Sequence, residues 1–259
     1  FRRYDYHFVL ECGGNGRAGF APKTPGLQWT YGGVGCAKWG GFLLRDILKE
    51  CGVKKSAVYL AYESHDIHPS GDPKKSVISR GVPVSKALDP FTMLVTHMND
   101  KPLPPAHGYP ARLVVPGFPG SASGKWLKRL WIRDKVHDGA KMTGSSYRIP
   151  AVESPPGKEV SPSDMNIIEK MPVKSLITYP KSTSTFNHET KFECRGFAWT
   201  GELNITKVDI TFDYGQTWIK ANLEKPRNTY DWQRWSVSLK LPSKGYFEIW
   251  SRATDSSGR

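Results

Sequence analysis

What this 259-residue sequence lacks narrows it before anything else does. It has no run of about 18 apolar residues, so nothing in it reads as a membrane-crossing helix. It has no run of five or more Lys/Arg and no RNA- or DNA-binding signature. The net charge of +13 therefore reads as a solubilising, anion-attracting field, and no nucleic-acid partner is expected. Four cysteines, Cys12, Cys36, Cys51 and Cys194, form neither Cys-x-x-Cys nor Cys-x-x-Cys-His. That argues against a zinc ribbon and against a covalently attached c-type haem within the chain, and nothing in the spacing demands a disulfide. The chain opens on Phe1-Arg2-Arg3 and closes on Ser256-Ser257-Gly258-Arg259. With no initiator methionine or signal peptide it is expected to be a segment of a longer protein, so the missing leader says nothing about localisation.

What is present suits a β-rich protein of one large domain or two ordinary ones. Apolar residues make up 38% of the chain, with 9 Trp, 11 Tyr and 11 Phe, enough for a real core. Glycine (25) and proline (20) are plentiful, and long periodic stretches are few, which points to many turns.

The most informative stretch is Leu10-Glu11-Cys12-Gly13-Gly14-Asn15-Gly16-Arg17. His7-Phe8-Val9-Leu10 reads as a short buried strand running into the cysteine, and the glycines and asparagine after it permit tight turns. A thiol at a strand end, followed by flexible backbone and an arginine, suits a soft-metal ligand facing an anion. A buried structural cysteine fits the same eight residues.

Downstream, residues 41–52 place Leu43, Leu44, Ile47, Leu48 and Cys51 at helical spacing with Gly52 as the stop, so Leu44, Ile47 and Leu48 are expected in the core. Residues 57–62 and 91–98 read as strands. His65 and His68 around Asp66 are too closely spaced for an ordinary helical metal pair and lack a third ligand. Leu103–Pro110 reads as a proline-stiffened loop that holds His107 in one place. Residues 111–116 form a strand into Gly117-Phe118-Pro119-Gly120-Ser121-Ala122-Ser123-Gly124-Lys125, whose amides and terminal lysine have the chemistry of a phosphate cradle. It is not a Walker A loop, because the spacing is wrong and no hydroxyl follows the lysine. Trp126–Ile132 reads as a strand at a sheet end.

Residues 150–170 look like an extended Pro/Ser-rich connector. Beyond them the pattern changes to short alternating strands at 191–199, 205–212, 235–241 and 246–254, with Val208, Ile210 and Phe212 on one face and a hairpin turn at 213–218. Turn signals between such strands indicate an immunoglobulin-like sandwich.

The Cys-Gly-Gly-Asn-Gly-Arg turn resembles that of the sulfite oxidase family of molybdenum enzymes, and the resemblance runs on in order. It takes in Trp29, Gly35-Cys36-Ala37-Lys38-Trp39-Gly40-Gly41, Leu44-Arg45-Asp46-Ile47-Leu48, His107-Gly108-Tyr109-Pro110-Ala111-Arg112, Val115-Pro116-Gly117 and Lys125-Trp126-Leu127. It implies an α+β fold: a mixed, β-rich molybdopterin-binding domain over 1–165, then an immunoglobulin-like dimerisation domain over 171–259. Segments that complete the pocket upstream and add a substrate arginine downstream would lie outside this chain. By resemblance Cys12 is the metal ligand, and Asp66, His107, Arg112, Ser123, Gly124 and Lys125 anchor molybdenum-molybdopterin. Arg17 would bind sulfite, Trp29 would wall the pocket and Tyr147 would hydrogen-bond the reacting oxygen and move protons. The implied activity is oxidation of sulfite to sulfate by oxygen-atom transfer, with electrons leaving to an external acceptor such as a cytochrome c. The form Cys-Gly-Gly-Asn-Gly-Arg looks more like bacterial sulfite dehydrogenases than the Cys-Ala-Gly-Asn-Arg-Arg of animal and plant enzymes, which implies a periplasmic homodimer.

Two rivals remain at this point: a sulfane dehydrogenase subunit of a thiosulfate-oxidising complex, and a non-catalytic immunoglobulin-type binding protein. Assimilatory nitrate reductase fits less well, since its turn keeps the Cys-Ala-Gly-Asn-Arg-Arg form. One departure stands out: the animal and plant enzymes carry a lysine shortly before the pocket tryptophan, where this chain has Pro25 with Lys23 close by.

Overall fold

The computed structural model describes every residue except Ser76 and Pro156, and the chain divides into two compact units, Phe1–Met171 and Pro172–Arg259. In the first unit, β1 (Arg3–Glu11), β2 (Val34–Leu43), α1 (Leu44–Cys51), β3 (Tyr59–Ser64), β4 (Gly81–Pro83), α2 (Val84–Ala87), β5 (Met93–Met98), β6 (Lys101–Pro102), β7 (Arg112–Val114), β8 (Leu127–Arg133), β9 (Arg148–Pro150) and β10 (Met165–Ile167) follow in order. One antiparallel sheet runs β1-β2-β5, with β6 and β7 both paired to β5; a second runs β4-β3-β8. Their apolar core gathers Leu44, Leu48, Leu60, Tyr62, Val82, Leu113, Val115 and Phe118. The Cys12 turn leaves the end of β1, and a parallel bridge from Glu11 to Pro119 ties that end to the Gly/Ser-rich loop.

Several expectations shift. The helix expected over 41–52 begins only at Leu44, because Gly41–Leu43 are already paired with β5 as the last residues of β2. Gly52 ends it as expected, with φ 71°, but Ile47 is half-buried and Cys51 exposed, so the packed face is Leu44 and Leu48. The strand around His7–Leu10 extends over all of β1. The connector over 150–170 is not extended throughout: β10 folds back on β9, and Met171 N–H donates to the Gly117 carbonyl (3.0 Å). Strands of three residues are too short for sequence patterning to find. Pro156, within that stretch, lies outside the described residues.

The second unit holds β11 (Lys174–Tyr179), β12 (Phe192–Trp199), β13 (Ile205–Thr211), β14 (Ile219–Lys220), β15 (Asn222–Leu223), β16 (Gln233–Leu239) and β17 (Trp250–Asp255). Two antiparallel sheets, β11-β12-β16-β15 and β14-β13-β17, face each other over Phe192, Cys194, Ala198, Val208, Ile210, Trp235, Val237 and Leu239. This is the expected β-sandwich after a β-rich mixed domain. The last strand starts at Trp250 rather than at residue 246, and the hairpin at 213–218 leads into a chain that pairs with β13 and then, after buried Ala221, crosses to β16. Asp209 and Thr211 are buried although they alternate with Val208 and Ile210. Lys207 and Arg252 pair with the Asp209 carboxylate, and the Thr211 hydroxyl bonds Asp213, so the outer face of β13 is covered by polar partners.

Gly196 on β12 lies opposite Trp235 on β16, and a Cβ there would collide with the Leu176 carbonyl and the indole. A backbone carbonyl on one side and a fully buried indole on the other leave little room to relax. Gly196→Ala is expected to lower unfolding stability by about 2 kcal/mol or more, read as a fall in the urea midpoint; an unchanged midpoint would show that the strands part freely here.

Candidate functional site

The Cys12 turn is held by its own backbone. Cys12 N–H donates to the Gly33 carbonyl (2.8 Å), Asn15 N–H to the Cys12 carbonyl (2.9 Å) and Gly14 N–H to Cys12 Sγ (3.4 Å). The Asn15 amide spans the loop: it donates to the Glu11 carboxylate (2.9 Å) and accepts from Gly33 N–H (3.0 Å). Arg17 donates to the Leu27 carbonyl (3.1 Å), and its guanidinium runs between Gly14 and Gly26, where any Cβ would strike it. These two glycines are the reason the arginine can lie flat against backbone. Trp29 belongs to the same arrangement through its carbonyl, which accepts from Ala18 N–H (3.0 Å), while its indole is 39% exposed.

Tyr147, far along the chain, acts electrostatically with this turn. Its φ of 54° is unusual for a bulky residue, and Ile168 N–H holds its carbonyl (3.0 Å). Burial pushes its phenol up; the charge of Cys12 acts in the same direction, and the guanidiniums of Arg80 and Arg17 oppose both. The structure therefore brings Cys12, Arg17 and Tyr147 within one electrostatic neighbourhood.

A second group lies along the Gly/Ser loop. Arg112, 5% exposed, donates to the carbonyls of His107 (3.1 Å) and Ser123 (2.9 Å), and the Ser123 hydroxyl accepts from Val115 N–H (3.0 Å). Lys125 Nζ donates to the Ala106 carbonyl (2.9 Å), beside the exposed His107. Gly124 lies against the Tyr62 ring and its carbonyl accepts from Leu113 N–H (2.8 Å). Desolvation pulls the Arg112 guanidinium down to about 10; Lys125 is lowered too, by burial and by Arg112, against the opposing pull of Asp66. Tyr62 sits between the two groups, 3% exposed, donating its hydroxyl to the Ser121 carbonyl (2.8 Å) and influenced by Arg80, Tyr147, Asp66 and Arg112.

These residues fit an anionic, hydrogen-bond-donating cofactor. Asp66 Oδ1 is buried with no partner, as is Arg112 Nε. A carboxylate acceptor left open suits the row of N–H donors on a pterin, and a buried, carboxylate-free guanidinium suits a phosphate. A cavity of about 540 Å³ opens beside Asp66, between His65, Lys75, Lys128, Arg129, Trp131 and His137. Cys12, Arg17, Tyr147 and Lys125 do not line it, so the site is defined by its side chains rather than by that void. Among the described residues no group of three or more His, Cys, Asp or Glu could hold a metal by itself, and His68 is engaged with the Ser70 hydroxyl (2.8 Å).

A family described as the oxidoreductase molybdopterin binding domain matches residues 1–141, and the Mo-co oxidoreductase dimerisation domain matches residues 165–259. The chain belongs to the sulfite oxidase family of molybdopterin enzymes. It is 35% identical to the mitochondrial sulfite oxidase of Drosophila melanogaster over 96% of its length and 29% identical to that of Homo sapiens over 94%. It spans 45% of each, so slightly less than half the length of these relatives. The sulfane dehydrogenase SoxCD from Paracoccus pantotrophus superposes with a TM-score of 0.79 at 29% identity, covering all of this chain and 62% of that one.

In this sulfite oxidase family member, two buried residues at the site escape sequence reasoning: Arg80 and Tyr62. Arg80 precedes β4 in a stretch with no motif, and Tyr62 looks like any strand aromatic. Only the fold turns them toward the site. The Arg112–Lys125 pair yields a direct test. Phosphate is expected to raise the melting temperature of metal-free protein above that in chloride of equal ionic strength, since ligands that bind only the folded state stabilise it. Lys125→Met is expected to lose at least about half of that rise; an undiminished rise would place the anion elsewhere.

Proposed function

We propose that the chain carries the cofactor-binding and dimerisation parts of an enzyme that oxidises sulfite to sulfate and passes electrons to an external acceptor of the cytochrome c type. The observation that supports this best is the electrostatic convergence of Cys12, Arg17 and Tyr147, together with the buried Arg112 guanidinium held by carbonyls alone. Bound molybdopterin supplies a two-electron molybdenum centre capable of oxygen-atom transfer.

The chain's own residues do the rest. Cys12 offers its thiolate to the metal, steadied by the Gly14 N–H. Asp66 accepts from the pterin edge, while His107, Arg112, Ser123, Gly124 and Lys125 hold the phosphate end, with the Gly/Ser loop fixed before binding. Arg17 presents its planar fork to the sulfite dianion; the Leu27 carbonyl takes one N–H and leaves others to the substrate. Trp29 closes the pocket against water. Tyr147, a phenol that burial raises further from its ordinary value, donates a hydrogen bond to substrate oxygen.

The likeness to SoxCD supports a second substrate reading, a sulfane sulfur carried on a protein. The dimerisation domain supports a homodimer, and the bacterial form of the cysteine turn supports a periplasmic address. No helix among the described residues is long and apolar enough to cross a membrane.

The deciding experiment is molybdenum content of the full-length protein, wild type beside Cys12→Ser, followed by a sulfite–ferricyanide assay. Stoichiometric metal and sulfite-dependent ferricyanide reduction in the wild type, both lost or severely reduced in the variant, are expected. Metal without sulfite turnover, but with turnover of protein-bound sulfane, would favour the second reading. Arg17→Met is expected to raise the KM for sulfite by about 10- to 100-fold, the worth of a charge-assisted hydrogen bond. An unchanged KM would remove Arg17 from the substrate.

A further inference from the structure

We propose that Arg80 is a positioning residue for Tyr147, holding that side chain against the cysteine turn through a stacked, Ser121-anchored guanidinium. This rests on the reading that Tyr147 faces the substrate, and it concerns a residue that no motif points to.

Arg80 is 1% exposed, among the largest fully buried side chains of the protein. A cation so placed ordinarily has a carboxylate beside it, because an unpaired buried charge is costly. Arg80 makes no ion pair among the described residues, and the groups acting on it most strongly are Tyr59, Tyr147, Tyr62 and Arg148. Its Nη1 donates to Ser121 Oγ (2.9 Å), its Nη2 reaches the Ile168 carbonyl at 3.4 Å, and its Nε has no partner. The guanidinium carbon lies 4.6 Å from the centre of the Tyr147 ring. A purely structural arginine would satisfy all its donors. This one spends one face on an aromatic ring and leaves a nitrogen unbonded.

The two ends it joins both belong to the site. Ser121 lies in the Gly/Ser loop, whose carbonyl also receives the Tyr62 hydroxyl. Tyr147 sits at φ 54°, a strained conformation that persists only when its surroundings over-determine it. Three such constraints are present: the Ile168 N–H on its carbonyl, the Arg80 face on its ring, and Arg148, whose guanidinium grips the carbonyls of Met142 (2.9 Å) and Met165 (3.0 Å) around the same turn. Only the Arg80 contact acts on the side chain. The cation–π attraction, strengthened by exclusion of water, fixes the ring plane and so the direction of the hydroxyl. The charged groups facing the phenol are Arg80, Arg17 and Cys12, with the Tyr62 phenol beside it. Arg80 is too deep to touch substrate and acts through the ring.

The test compares wild type, Ser121→Ala, Arg80→Lys, Tyr147→Phe and the double variant Ser121→Ala/Tyr147→Phe in the full-length protein. Proteins labelled with 3-fluorotyrosine give a fluorine resonance for Tyr147, identified by its loss in Tyr147→Phe. That resonance is expected to move in Ser121→Ala and Arg80→Lys, with or without bound metal. In turnover, Ser121→Ala is expected to lower kcat several-fold at nearly constant KM, and to cost nothing further once Tyr147 is Phe, since effects acting through one residue do not multiply. An unmoved resonance in both variants, or penalties that multiply, would overturn the proposal. Because the resonance needs neither metal nor substrate, it decides the role of Arg80 even if the protein proves inactive on sulfite, which would sink the functional reading alone.

Discussion

A buried guanidinium without a carboxylate is an expensive arrangement, and among the described residues this domain maintains it at Arg80 and Arg112, both of which act on Tyr62. Desolvation lowers both below the ordinary arginine value, which means the fold works against their charge. A single carboxylate near each would relieve the cost and would also cancel the positive potential. The carbonyls of His107 and Ser123 around Arg112, and the Ser121 hydroxyl and Tyr147 ring around Arg80, orient the cations without neutralising them. The domain gives up stability to keep a positive, water-poor interior that an anion can complete.

That constraint explains why so much of the site is backbone. Donors and acceptors of the chain itself are neutral, so they can fix the cysteine turn and the Gly/Ser loop without altering the field. Gly33, Gly14 and Asn15 organise Cys12 this way, and the Glu11–Pro119 bridge sets the turn beside the loop. Glu11 is the buried carboxylate closest in sequence to the cysteine, and the Asn15 amide donates to it, which keeps it directed at the turn's frame.

The cysteine turn, the phosphate-like loop and the sandwich were legible in the sequence because each depends on local chemistry: Gly and Asn where turns demand them, alternation where one face is buried. Val208 and Ile210 could be placed inside by period alone, with Phe212 packed against the same core. The start of α1 was misread because Gly41–Leu43 carry the same apolar residues whether they wind or pair, and only β5 decides. The β9–β10 pair escaped because the three-residue segments Arg148-Ile149-Pro150 and Met165-Asn166-Ile167 are too short to establish a period, and the crossing at Ala221 because two-residue strands have none. Arg80 was invisible for a different reason. Its role follows from meeting Ser121 and Tyr147, both distant in sequence, and a lone arginine before a strand is ordinarily a surface residue.

The same logic links the interior to the exterior. The chain carries 37 basic against 24 acidic residues, so its net charge has the same sign as the unneutralised guanidiniums of the site. The two respond differently to salt. The surface field fades over roughly 8–10 Å at physiological ionic strength, whereas the contacts of the buried Arg112 are shielded by protein. For the proposed anionic ligand, capture is therefore expected to be the salt-sensitive step and the hold of Arg112 the salt-insensitive one. The guanidiniums of Arg80 and Arg112 are kept in place at a cost to the stability of the fold.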